Sequence, residues 1–444
     1  MKNKYLILRK DGSAVEVDQY LASVDPSREM KVLIDREAKQ IASAQNGEPK
    51  YLQYANRLGF SWEKNSGIGF VNYNHKANLI LRLVKEYSRN LVNEIGFPIY
   101  EVNGSNFFDM QYPVVQAYAN LFADRLFKSK QDKKELVMLY DASYPQFNLA
   151  GDYQLSYRDL PFAHFSIADC YRYEQSGECM LLFRGRRFNM PDLHPYLKDI
   201  PEAFEWYFKI EKQIINAAKE VRREYVNVIK VSSEKNWEQY RSQIAQIAIS
   251  SNKDMLVEIR RDGVDRYWII DVDYSIIDNL DQVREIGCIQ IDIGNAKRLN
   301  ISYRDQNDAK QYPVIIHSAV PGGIERYLYM LFDNFHDSFP IWLHPIQLRL
   351  LPISDEYIQD CEKFIDNLPN LRVDIDDRSV PIGKKIKLAK DELIPHYFVI
   401  GEQERNKKGN YQEILDLYKE IQNISKNKPY NDYSWPKLVS KQIH

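Results

Sequence analysis

Arg172-Tyr173-Glu174 closes an apolar run and enters the turn Gln175-Ser176-Gly177, from which a second run, Leu182-Phe183-Arg184-Gly185-Arg186-Arg187-Phe188, returns. A hairpin with arginines at both ends presents planar guanidinium forks that match phosphate oxygens two at a time. Far along the chain, Gly322-Gly323-Ile324-Glu325-Arg326 opens an amphipathic helix. It adds another arginine, with glycines that let a ligand approach the backbone closely. Each arginine alone also reads as a surface or salt-bridge residue. The chemistry they share is phosphate binding.

These side chains need a scaffold, and the sequence supplies a β-rich one. The runs FAHFSIADCYRYE (162–174), MLLFRGRRF (180–188), RYWIIDVDYSII (266–277), GCIQIDI (287–293) and YPVIIHSAV (312–320) are separated by charged turns rather than helices. That predicts a mainly antiparallel sheet flanked by helices, an α/β chain of the α+β kind. One helix is expected over 77–95, where Leu79, Ile80, Leu83, Val84, Tyr87, Leu91 and Ile95 form one apolar face, stopped by Gly96 and Pro98. A second opens at Asp199 with Pro201 and Glu202 in its first turn, and sets Phe204, Phe208, Ile215 and Ala218 on one side. Near Trp342 the pattern becomes an alternation. IQLRLLPI is a strand, a helix capped by Ser354 runs through Phe364, RVDID is a strand, Gly383–Asp391 is helical, HYFVIG is a strand and Tyr411–Ile424 is a helix. This predicts a separate domain with a parallel or mixed sheet. The N-terminal KYLILRKDGSAVEV reads as a hairpin about Asp11-Gly12, and MKVLIDREAKQIASA (30–44) as a helix. The expected division is a leader over 1–55, a main β-rich domain over 56–340, a smaller α/β domain over 341–425 and an irregular tail over 426–444.

Composition excludes several classes. The chain has 444 residues with 18 Gly and 19 Pro, too few of either for a linker protein, and 60 basic against 62 acidic side chains. With a net charge of −2, nucleic acid can be drawn only to a local patch. The cysteines at 170, 179, 288 and 361 form neither a CxxC knuckle nor a disulfide framework, so a cytoplasmic location is expected. The N-terminus lacks the apolar core of a signal peptide, and no apolar run approaches the roughly 20 residues of a membrane span.

RYEQSG followed by FRGRRF and then GGIER is similar to motifs 2 and 3 of class II aminoacyl-tRNA synthetases. YRDLPF, RRFNMPDLH, IQIDI, YPVIIHSA, FPIWLHPIQLRLLPIS and VDIDDRSVPIGKKIKLA narrow the resemblance to threonyl-tRNA synthetases, the archaeal branch in particular, over about Gly59 to Glu404. In that family ATP, carried with Mg, lies bent on an antiparallel sheet. The amino-acid carboxylate attacks the α-phosphorus, pyrophosphate leaves, and the adenylate passes to the tRNA 3′ end. The resemblance implies that Arg172 holds the α-phosphate and the carboxylate. It has Glu174 accept from the adenine amino group, Arg184 and Arg326 hold the outer phosphates, and Phe188 lie under the adenine. Gln290 and Asp292 fall at positions near the ribose and the amino-acid pocket, although Gln290 reads equally as a hydrogen-bonding strand residue. The family's threonine enzymes hold a zinc with one Cys and two His. His194 and His317 match the two His, Asp192 matches the carboxylate that reads the threonine hydroxyl, and the Cys position falls at Ser143. A hydroxyl is a poor zinc ligand at neutral pH, so weak or absent zinc is expected.

Other positions depart from the family. Asp271 stands where the resemblance implies a Lys near the adenylate, and Val102 where motif 1 ends in Pro. The chain begins just after the position of the archaeal editing domain, which implies no editing in cis and a separate editing protein as a partner. The resemblance makes 56–340 a class II catalytic-like domain and 341–425 an anticodon-binding-like domain, in which Arg378, Lys384, Lys385, Lys387 and Lys390 form a basic patch suited to tRNA phosphates, or a solvated helix face. The strand that follows in the family is shortened to GEQERNKKGNY. The expectation is a homodimeric threonyl-tRNA synthetase-like ligase that binds ATP and tRNA. Two alternatives stay open: a degenerate paralogue that binds tRNA or a partner without aminoacylating, and an adenylating enzyme with altered amino-acid specificity.

Overall fold

The computed structural model describes residues 3–41 and 49–443. The chain packs as two compact units that are not contiguous in sequence: Met1–Pro49, Trp62–Val71 and Ser88–Asn334 form the first, and Lys50–Ser61, Asn72–Tyr87 and Phe335–His444 the second.

The first unit is built on a ten-stranded sheet. Its strands are β1 (Lys4–Leu8), β2 (Ala14–Glu16), β3 (Ile99–Glu101), β4 (Phe162–Tyr171), β5 (Arg187–Leu197), β6 (Val226–Val231), β7 (Met255–Ile259), β8 (Trp268–Ile277), β9 (Val283–Asp292) and β10 (Val314–Ala319). Their order is β2-β1-β7-β6-β8-β9-β10-β5-β4-β3. From β6 through β4 every pairing is antiparallel, as the charged turns between the runs require. β4 and β5 pair without a break from Phe162↔Tyr196 to Tyr171↔Arg187. The expected leader hairpin is β1–β2, with Gly12 in the turn at φ +85°. The expected 30–44 helix spans Arg28–Leu33 and runs on as a wider turn through Ala38; residues 42–44 lie outside the described residues.

Helix α1 (His75–Asn93) has its residues up to Tyr87 in the second unit and the rest in the first, and three helices bear on the first unit's site: α2 (Ser143–Gly151), α3 (Ile200–Glu220) and α4 (Ile324–Asp333). On α1, Leu79, Ile80, Leu83, Val84, Tyr87 and Leu91 are buried, as their spacing predicts. α3 starts where expected, with the Asp199 side chain accepting from the Glu202 N–H at 2.9 Å. Its buried stripe is rotated by one position, however. Ala203, Phe204, Tyr207, Ile210, Ile214, Ala217 and Ala218 are buried, while Phe208 and Ile215 flank the stripe half-buried. The expected return strand over 180–188 begins only at Arg187. Leu182 takes a left-handed φ of +63°, and Met180 and Arg184 close a tight turn instead.

The second unit carries a three-stranded parallel sheet, β11 (Leu348–Pro352), β12 (Val373–Ile375) and β13 (His396–Ile400), ordered β12-β11-β13. It alternates with α5 (Ile358–Ile365), α6 (Ile382–Asp391) and α7 (Tyr411–Ile424), as the sequence alternation predicts. A short 3₁₀ turn precedes α5, and the Ser354 hydroxyl donates to Glu356 at 3.0 Å rather than capping the helix. The buried Arg349 forks onto Asp374 at 2.8 and 2.7 Å. The tail is an irregular wrap: Tyr433 donates to the Val373 carbonyl, and Leu438 bridges to Ile375.

Candidate active site

The first unit contains a cleft of about 440 Å³ on the antiparallel sheet. Ser143, Arg172, Glu174, Arg184, Phe188, Asp192, Gln290, His317 and Arg326 all line it, so residues up to 183 positions apart converge there. His194 and Asp292 do not line it. They stand behind it, with 0% and 1% of their surface exposed.

Arg172 follows the last residue of β4. Its guanidinium lies between the rings of Phe122 and Phe188, 5.3 and 5.2 Å from their centroids, and its Nε donates to the Tyr140 carbonyl at 3.1 Å. The head group is thus held in one plane. Arg326, in the first turn of α4, donates to the carbonyls of Phe183 (3.3 Å) and Glu285 (3.1 Å). Arg184 has a loose ion pair with Glu178 at 3.6 Å. Glu174 is 5% exposed; its Oε1 lies 3.8 Å from Arg125, and its Oε2 is buried without a hydrogen-bond partner. A buried acceptor left open in a cleft is suited to a ligand's N–H donor.

The other two arginines of the loop do different work. Arg187 pairs with Asp169 at 2.9 Å. Arg186 donates to the Glu174 carbonyl at 3.0 Å and lies over Tyr173. The Arg186 N–H in turn donates to the Gly69 carbonyl at 2.6 Å, at the tip of a small hairpin formed by Phe60–Trp62 and Val71–Tyr73. Gly69 has φ +102°, and a Cβ there would sit 2.5 Å from the Arg186 Cγ, so glycine alone fits this clasp.

A hydrogen-bonded chain lies at the deeper end. Ser143 opens α2 and donates to Asp192 at 3.2 Å. His194 meets Gln146 through Nδ1 (2.8 Å) and His317 through Nε2 (3.2 Å), and His317 Nε2 meets Asp292 at 2.7 Å. Asp292 also accepts from the N–H groups of Gly294 and Asn295, so it buttresses His317 from behind. Burial pushes the Asp192 carboxyl up to about 7, with the Asp141 charge adding to the shift. Burial holds His194 well below the usual imidazole value. At His317 burial pulls the same way, but the hydrogen bond and charge of Asp292 outweigh it and raise the value.

The zinc implied by the resemblance finds a poor donor set here. The two imidazoles turn their free nitrogens on each other, and the third member is a neutral hydroxyl already donating to Asp192. Among the described residues no three His, Cys, Asp or Glu side chains are grouped to hold a metal.

Sequence reasoning missed several cleft residues: Phe122, Arg125, Asp141, Lys230, Tyr267, Asp273 and Glu285. A signal existed for two of them, since Lys230 and Asp273 are charged residues inside mainly apolar strands. In the second unit the expected basic patch is smaller than predicted. Lys385 is buried and donates to the carbonyls of Pro352 (2.9 Å) and Asp376 (2.7 Å), while Arg378 forks onto Asp376. Lys384, Lys387 and Lys390 remain exposed on α6.

Comparison with known proteins agrees with this geometry. Residues 127–335 match the tRNA synthetase class II core domain (G, H, P, S and T), and residues 347–414 match an anticodon binding domain. The chain is 38% identical to a threonine–tRNA ligase of Thermofilum pendens over 90% of this chain and 67% of the relative. It is 36% identical to one of Staphylothermus marinus over 100% of this chain and 75% of the relative. Among solved structures, a threonyl-tRNA synthetase RNA-binding domain from Cryptosporidium parvum superposes with a TM-score of 0.73 at 19% identity, covering 84% of this chain and 98% of that one, a likeness of fold. With a class II core, an anticodon-binding module and identity of this extent along nearly its whole length, the chain belongs to the threonine–tRNA ligase family.

Proposed function

We propose that the protein activates threonine with ATP and transfers it to tRNA. The observation that carries this reading is the convergence of Arg172, Arg184 and Arg326 on one cleft beside the open Oε2 of Glu174. Each residue then has a physical task. Arg172, fixed between two rings, offers its outer N–H groups to the α-phosphate and the attacking carboxylate, where charge accumulates in the transition state. Arg184 and Arg326 hold the outer phosphates, and Phe188 supports the adenine, whose amino group donates to Glu174. Magnesium arrives with ATP as part of the substrate. Gln290 lies within the amino-acid end of the cleft, Asp292 keeps His317 oriented, and Asp192 accepts from the threonine hydroxyl. An ATP–pyrophosphate exchange panel over all twenty amino acids, followed by tRNA charging, tests the reading. Exchange with threonine alone is expected, and exchange only with another amino acid would sink it.

Zinc in this reading is weak or absent, because Ser143 replaces the thiolate and the imidazoles bond to each other. Replacing Ser143 by Cys should raise zinc content measured by elemental analysis. One stoichiometric zinc in the unaltered protein would overturn this point.

The anticodon-binding module makes tRNA the nucleic-acid partner, and Lys384, Lys387 and Lys390 offer its backbone a cationic face. The chain is read as a homodimer. Tyr100 and Tyr112, 58% and 63% exposed, lie at and beyond the sheet-edge strand β3, which follows α1 in the motif 1 region. Light scattering should give twice the chain mass, and a monomer at micromolar concentration would exclude it. No helix among the described residues is long and apolar enough to cross a membrane, and the four cysteines are free, which supports a reducing, cytoplasmic setting.

A further inference from the structure

One row of side chains crosses the cleft floor from strand to strand. Lys230 on β6 stands opposite Asp271 on β8, Asp271 opposite Gln290 on β9, and Gln290 opposite His317 on β10. All four line the cleft. Neighbouring strands are about 4.8 Å apart, so the row fixes a cation, a carboxylate, an amide and an imidazole in that sequence.

Lys230 is not shared evenly between the two aspartates beside it. Its Nζ lies 2.6 Å from Asp273 Oδ2 and 3.8 Å from Asp271 Oδ2. The Asp271 residue is 9% exposed, and its Oδ1 is buried with no donor at hydrogen-bond geometry, the nearby Gln290 amide favouring its charged form. A buried carboxylate oxygen in that condition is costly unless a ligand supplies the donor. The position also reverses the charge that the family resemblance implies, from a cation suited to an anionic group to an anion suited to a cationic one. The amino-acid substrate brings one fixed cation, its α-ammonium; of the carboxylates beside Ser143 in the cleft, Asp192 already accepts from the Ser143 hydroxyl at 3.2 Å and Asp141 from the Ser143 N–H at 2.7 Å.

We propose that Asp271 receives the α-ammonium group of the amino-acid substrate through its open Oδ1. The assignment rests on the reading of this cleft as an amino-acid-activating site. It makes Asp271 a substrate-binding residue, with Lys230 committed to Asp273 and serving to keep that second carboxylate out of the way. An ammonium–carboxylate hydrogen bond in a partly dry site contributes about ten- to hundredfold in affinity.

Calorimetric titration of the full chain with L-threonine and with (R)-3-hydroxybutanoate, which lacks only the amine, tests it. In the unaltered protein threonine should bind at least about tenfold tighter than the deaminated acid. In Asp271→Asn that advantage should vanish, with ATP affinity and the affinity for the deaminated acid unchanged. If threonine binds the variant as well as the unaltered protein, the proposal fails while the synthetase reading stands. A loss of Mg·ATP affinity in place of threonine affinity would assign Asp271 to the nucleotide's metal and would also overturn it. Equal binding of the two acids by the unaltered protein refutes the proposal even if the variant does not fold. No threonine binding at all would remove both this proposal and the threonine reading beneath it.

Discussion

In the proposed reading Arg172 is an anion ligand whose guanidinium is held in place by two rings and by the carbonyl that takes its Nε. Arg172→Ala should therefore lower the adenylation rate by on the order of 10²–10³-fold or more, since water cannot reproduce a preorganised guanidinium on the transition-state charge. The measurement is pyrophosphate exchange at saturating ATP. A second buried residue makes a prediction about stability. Glu211 on α3 accepts from Tyr274 at 2.9 Å, and burial, partly offset by its hydrogen bonds to Tyr274, Ser251 and Tyr207, raises its carboxyl from 4.5 to about 7. The folded state therefore keeps this proton while the unfolded chain releases it. Stability from this group is present below about 4.5 and is lost as pH rises through 7, by up to about 3 kcal/mol. Glu211→Gln keeps the acceptor and removes the titration. Its Tm advantage over the unaltered protein should grow between pH 4.5 and 7 and then level off; a constant difference would show that Glu211 does not titrate there.

At the scale of elements, the hairpin tip at Gly69 acts on the nucleotide site through Arg186 and the Glu174 backbone. Gly69→Ala forces a side chain into a left-handed conformation against the Arg186 stem. It should cost about 1–2 kcal/mol and raise the KM for ATP more than it lowers kcat. An equal change in the KM for amino acid would argue for general loosening instead. The clasp was not legible in the sequence, since nothing local tells Gly69 from any other turn glycine. The strands were legible, because β4, β8, β9 and β10 are apolar runs bounded by charged turns. The return run after Gly177 misled for the same reason: Leu181, Leu182 and Phe183 are apolar enough for a strand, but a tight turn buries Leu181 and Leu182 and leaves Phe183 half-buried. The α3 stripe slipped by one position because Phe208 and Ile215 are large and apolar, whereas the helix faces the sheet with Tyr207, Ile214 and two small alanines. Among the candidate site residues, the arginines and His317, named by motif, line the cleft, while Asp292 lies behind its wall and hydrogen-bonds His317.

Across the whole chain a net charge of −2 leaves tRNA attraction to local features. With Lys385 spent on two carbonyls and Arg378 on Asp376, three lysines of α6 remain for phosphates. Replacing Lys384, Lys387 and Lys390 together by Ala should weaken tRNA binding and reduce the salt dependence, log K against log salt, by up to about three. Pyrophosphate exchange without tRNA should be unaffected, and an unchanged salt slope would make the helix face mere solvation. The row from Lys230 to His317 has a different consequence, for tolerance to changes in chain length. Strands expose alternate residues on each face. Deleting one residue from the turn between β8 and β9 would therefore present Ile289 or Ile291 to the cleft in place of Gln290 and leave an apolar gap between Asp271 and His317. Deleting two would restore the facing side but move the amide nearly 7 Å along its strand. Viable length variation in that turn is thus restricted to residues looped clear of the ladder, and variants that differ there should do so without changing which positions of β8 and β9 face each other.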